Sequence, residues 1–63
     1  MHPLEAKYGG SDPATWDDAK RNAAREELFN AISADKAGSA GGKLAAGERT
    51  ALLRIWLDIR RAQ

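Results

Sequence analysis

The first stretch to test for chemistry is the glycine-rich run Gly38-Ser39-Ala40-Gly41-Gly42-Lys43. A phosphate-binding loop cradles phosphate with backbone N–H groups and places Lys and then Ser or Thr at the end of GxxxxGK[ST], after a strand. Here the first glycine of that pattern falls on Ala37 and the hydroxyl residue on Leu44, and no strand pattern precedes it. The run reads instead as a helix stop, with Gly38 as C′ residue, followed by a linker. Acid–base catalysis needs two groups held together. Asp17 and Asp18 are adjacent, as are Glu26 and Glu27, and neighbours on a helix diverge by ~100°. Asp17 with Arg21, and Arg54 with Asp58, are surface pairs at i,i+4 spacing. His2 and Glu5, at i,i+3, could hold a metal, but two ligands at a terminus make an incomplete site. With one histidine and no cysteine, thiolate chemistry, disulfides and Cys/His metal sites are excluded. No catalytic, cofactor-binding or metal-binding residue is expected, and the chain reads as a non-enzyme.

Two binding chemistries are left. Lys43, Arg54, Arg60 and Arg61 give the C-terminal half a basic character, and two Trp could stack on bases, so nucleic-acid binding is the alternative reading. Against it, the arginines spread around a helix, Asp58 sits among them, and the linker is longer than the tight turn of a helix-turn-helix. The favoured chemistry is apolar. Across Glu48 to Arg61, Leu52, Ile55, Trp56 and Ile59 make one stripe at ~100° per residue, while Leu53 and Leu57 form a shoulder beside it. That arc is wider than one packing partner needs. Leu53, Leu57, Trp56 and Phe29 are therefore the expected interaction surface, facing a second copy of the chain, another protein, or both.

The elements that must position these residues are helical. Of 27 hydrophobic residues 13 are Ala, and Val is absent, a composition that favours helices over strands. A short helical segment is expected within 1–10, with Leu4 and Tyr8 on one face. A helix is expected over 13–34, started by Asp12-Pro13 or by Thr15 with Asp18 three residues on. Its apolar arc runs through Trp16, Ala24, Leu28 and Ile32, is interrupted by Lys20 and Glu27, and leaves Phe29 off-centre. A linker at 35–47 and a helix over 48–62 follow. In the latter, Ala45 stands where a capping hydroxyl belongs and Arg60 and Arg61 fill the last turn. The fold class is all-α, a short turn plus a two-helix antiparallel hairpin. The return would set Trp16 near Trp56 and Ile59, and dimerisation would give a four-helix assembly.

At 63 residues and net charge +1, this is one small domain with no global pull toward nucleic acid or membrane. Residues 1–35 carry four basic against seven acidic side chains, and residues 36–63 six against two, so the halves bear −3 and +4 and suit one another within or between chains. No apolar run approaches a membrane span and no signal-peptide core is present, so a cytoplasmic protein without a membrane partner is expected. The chain is thus expected to be a protein–protein interaction module, an adaptor or inhibitor that acts by covering a partner's surface.

Overall fold

The structure is a computed structural model of the chain and describes residues 2–34 and 44–63. Most of the linker expected at 35–47, including Gly38 and Lys43, lies outside the described residues. Four helical elements follow in order: α1 (Pro3–Tyr8), a 3-10 turn (Pro13–Thr15), α2 (Asp18–Ala34) and α3 (Ala46–Ala62). Every regular element among the described residues is helical, and none is long and apolar enough to cross a membrane.

α1 is too short to persist alone, and local bonds close both its ends. His2, in extended conformation, accepts the Leu4 N–H on Nδ1 at 3.1 Å, while the Glu5 carboxylate accepts the His2 N–H at 3.4 Å. This reciprocal cap accounts for the i,i+3 spacing that suggested a metal pair. Gly9 ends the helix by donating to the Glu5 carbonyl at 2.8 Å. A Cβ there would stand 2.7 Å from that carbonyl oxygen and 3.2 Å from Ile55 Cδ1, so glycine is required chiefly by the carbonyl of α1's own last turn, with α3 close behind it.

The helix expected over 13–34 is broken. Asp12 caps only the 3-10 turn, accepting the Ala14 N–H at 3.0 Å. Trp16 is extended, and a second cap, Asp17, starts α2 by accepting the Lys20 N–H at 2.8 Å. The break turns the Trp16 indole inward, where it is 8% exposed and donates to Ser11 Oγ at 2.8 Å. Arg21 holds the kink by donating to the Pro13 and Trp16 carbonyls and pairing with Asp18, in place of the expected partner Asp17. Thr15, the other expected start, lies inside the 3-10 turn with its hydroxyl donating to the Asp12 carbonyl, and α2 starts instead from the cap Asp17, with the buried Trp16 between the two caps.

α3 begins at Ala46, two residues before the expected boundary. Glu48 accepts the Ala45 N–H at 3.1 Å, but Ala45 has no side-chain acceptor to return, so only half a capping box forms. α2 and α3 run antiparallel: Asn22 and Arg25 near the start of α2 bond the Gln63 side chain after α3, and the Ile32 carbonyl near the end of α2 accepts from Arg49 near the start of α3. Leu28, Leu52 and Ile59 are fully buried, with Ala24, Tyr8 and Trp16 completing the core. Alanine at position 24 lets the backbones approach, and α1 and the 3-10 turn close the core by packing on α3.

Candidate interaction face

α1 covers one flank of the α2/α3 pair. On α2, Glu27 meets Tyr8 and Lys7 of α1; on α3, Ile55 meets Gly9. Phe29 lies about 200° round α2 from Glu27, and Leu53 about 200° round α3 from Ile55, so both belong to the opposite flank. Among the described residues α1 does not reach it, and Arg60 lies over part of it at Trp56. Phe29 is 56% exposed, Leu53 41% and Leu57 38%, and these are the exposed large apolar side chains among the described residues.

Of the four residues expected to form the interaction surface, Phe29 and Trp56 are brought into contact, while Leu53 and Leu57 line a separate depression on α3. The Phe29 and Trp56 rings sit 6.5 Å apart at 36°, joining α2 to α3 on this flank. Leu53 is i,i+3 to Trp56 and i,i+4 to Leu57, whereas Trp56 and Leu57 are chain neighbours ~100° apart with Arg60 at the helical position between them. Trp56 is half-buried and marks the edge of the core stripe, whose buried centre on α3 is Leu52 and Ile59. Its ring partner is Phe29, whereas that of Trp16 is Tyr8 at 5.8 Å.

The basic residues fall around Leu53, Trp56 and Leu57. The Arg60 guanidinium lies 5.1 Å from the Trp56 ring centroid, a cation–π geometry. Arg54 and Arg61 line, with Leu53, Leu57, Thr50 and Asp58, a shallow depression of about 360 Å³ on the outer side of α3. Asp58 pairs with Arg61 at 3.4 Å, in place of the expected Arg54. Lys43, the fourth candidate nucleic-acid contact, is outside the described residues.

A polar latch on the other flank escaped the sequence reading. Tyr8, 4% exposed, donates its hydroxyl hydrogen bond to Glu27, and Lys7 Nζ sits 3.3 Å from the same carboxylate. Burial, and then the Glu27 carboxylate, push the Tyr8 hydroxyl above its ordinary value. The Tyr8 bond, and then Lys7, hold Glu27 below its own, while the Tyr8 oxygen and then Glu27 raise Lys7. The available signal was Glu27 itself, a carboxylate interrupting an apolar arc and so needing a donor from elsewhere. Lys20, the other interruption, lies over the Trp16 ring at 4.6 Å.

A groove of about 560 Å³ runs between α1 and α3 and is lined mostly by small residues, with Glu5 and Arg54 at its rim. Glu5 is engaged in the cap of α1, so the groove gathers no acid–base pair. Among the described residues no three His, Cys, Asp or Glu side chains group as metal ligands do. Comparison with protein-family models, with curated proteins and with solved structures finds no match for this chain.

Proposed function

We propose that this chain is a non-enzymatic protein-interaction module, an adaptor or inhibitor that works by occupying a partner's surface through Phe29, Leu53, Trp56 and Leu57. The observation that carries this reading is clustering: the exposed large apolar side chains of the described residues share one flank, the one α1 leaves open. Surface leucines scattered singly need no explanation, but Leu53 and Leu57 side by side on the flank of the exposed Phe29 do. Covering the exposed share of Leu53 and Leu57 would contribute about 1 kcal/mol each, and Phe29 somewhat more.

A second copy of the chain fits this role as a four-helix assembly, and so does a foreign protein. The nucleic-acid alternative, through Arg54, Arg60, Arg61 and Lys43, is weakened by Arg60, which occupies the face of Trp56 on which a base would stack. Substituting Leu53→Lys with Leu57→Lys tests the proposal. The variant should keep its helical circular dichroism and lose association, whether with itself in sedimentation or with a partner. Retained association, or steeply salt-dependent binding to RNA or DNA that survives the substitution, sinks it.

A further inference from the structure

The face has a charge as well as a shape, and the charge distinguishes its occupants. α3 carries Arg49, Arg54, Arg60 and Arg61 against Glu48 and Asp58, a net +2. Arg60 stands on one side of the Leu53–Leu57 stripe by helical position, and Arg54 and Arg61 on the other. Asp58 offsets Arg61 alone, and no carboxylate of the described residues pairs with Arg54 or Arg60. At the far end, beside Phe29 and Trp56, the single carboxylate is Glu26. The apolar residues on this flank are thus bordered by four arginines, Arg25, Arg54, Arg60 and Arg61, against two carboxylates, Glu26 and Asp58, a net +2. A second copy would bring the same arginines to the same border, so self-association along α3 opposes like charges.

Resting on the interaction-module reading, we propose that the occupant is an acidic amphipathic helix of another protein. It would lie in the position opposite α1, with apolar residues at i, i+4 and i+7 on Phe29, Trp56, Leu53 and Leu57 and carboxylates toward Arg54, Arg60 and Arg61. Both walls are helical and α3 spans 17 residues, so a guest of three or four turns fits by ridge-into-groove packing. Arginine suits the task because its fork binds carboxylates bidentately.

The test is selection of the full chain against a phage-displayed library of helical peptides, with apolar residues fixed at i, i+4 and i+7 and the flanking positions randomised. Asp and Glu should be enriched at the flanks, and the selected peptide should shift the amides of Phe29, Leu53 and Leu57 and the indole of Trp56 in NMR spectra. Its affinity should fall at least about tenfold in an Arg54→Glu, Arg60→Glu, Arg61→Glu variant that keeps its circular dichroism, and selection on that variant should favour Lys and Arg flanks. Neutral or basic flanks from the unmodified chain, or shifts mapping to the α1–α3 groove, overturn the proposal. So does tighter binding, through the same residues, to single-stranded RNA or to phosphatidylserine vesicles. A dimer seen by sedimentation with this face protected also overturns it, while leaving the interaction-module reading intact. No enrichment likewise overturns it, and the interaction-module reading then stands or falls on the Leu53→Lys, Leu57→Lys test above.

Discussion

Tyr8 and Glu27 show how one residue pair decides whether α1 belongs to the fold. Tyr8 supplies the buried ring, and Glu27 gives its hydroxyl a charged acceptor that Lys7 also contacts. Because Glu27 titrates below its ordinary value of 4.5 when folded, its contribution is complete above that value and is lost as the pH falls through the lowered one. Tyr8 and Lys7 are raised above 10.0 and 10.5, so theirs are complete below those values and lost as the pH rises past them. The Leu4 and Tyr8 side-chain NMR signals should therefore be native-like near neutrality and move toward random-coil positions below about pH 4.5. Glu27→Gln should flatten that acid limb, and an unchanged limb would show the latch to be irrelevant. Leu28, fully buried, makes the contrasting case. Leu28→Ala should cost about 2–5 kcal/mol, enough to unfold much of a chain this small, as thermal melting will read. Leu28 was legible as core from its spacing. The Tyr8–Glu27 bond was not, because no periodicity connects residues on separate helices.

Among the elements, the two long helices were legible from hydrophobic spacing, while their boundaries depended on cap chemistry that spacing does not resolve. Asp12-Pro13 is a sound start signal, but Trp16 gains more by burial in extended conformation than the backbone gains by continuing a helix, so Asp17 starts α2 afresh. α3 has the opposite defect, a long helix with an incomplete start. Ala45→Ser would supply the missing acceptor to the Glu48 N–H and complete the capping box. It should raise stability by about 1 kcal/mol, measured as a higher denaturant midpoint with an unchanged slope; no gain would mean that the end of α3 is not limiting. α1 was expected as a short helical segment with Leu4 and Tyr8 on one face, and that face packs on the core while Gly9 ends the helix beside Ile55. Gly9→Ala should strain the end of α1 against the Glu5 carbonyl and lower the melting temperature.

At the scale of the whole molecule, the question is whether the apolar arc of α3 is core or surface, and two adjacent leucines answer it differently. Leu52 is fully buried and Leu53 is 41% exposed, one helical step of ~100° apart. The sequence could not separate them, since both belong to one wide arc and the side on which α1 docks is set by the Tyr8–Glu27 and Gly9–Ile55 contacts. With α1 on the Ile55 flank, Leu28, Leu52 and Ile59 are sealed within a single chain and the Leu53–Leu57 shoulder is left over. A core completed within one chain does not need a second copy to fold. The melting temperature should accordingly be independent of protein concentration, whereas an obligate dimer would melt higher when more concentrated. Leu53→Lys with Leu57→Lys should leave that temperature nearly unchanged, because surface substitutions of this kind stay within about 0.5 kcal/mol. Leu52→Lys should unfold the chain by burying an unpaired charge. If the double shoulder substitution also unfolds a monomeric protein, Leu53 and Leu57 are part of the sealed core in solution, and no partner-binding face exists there.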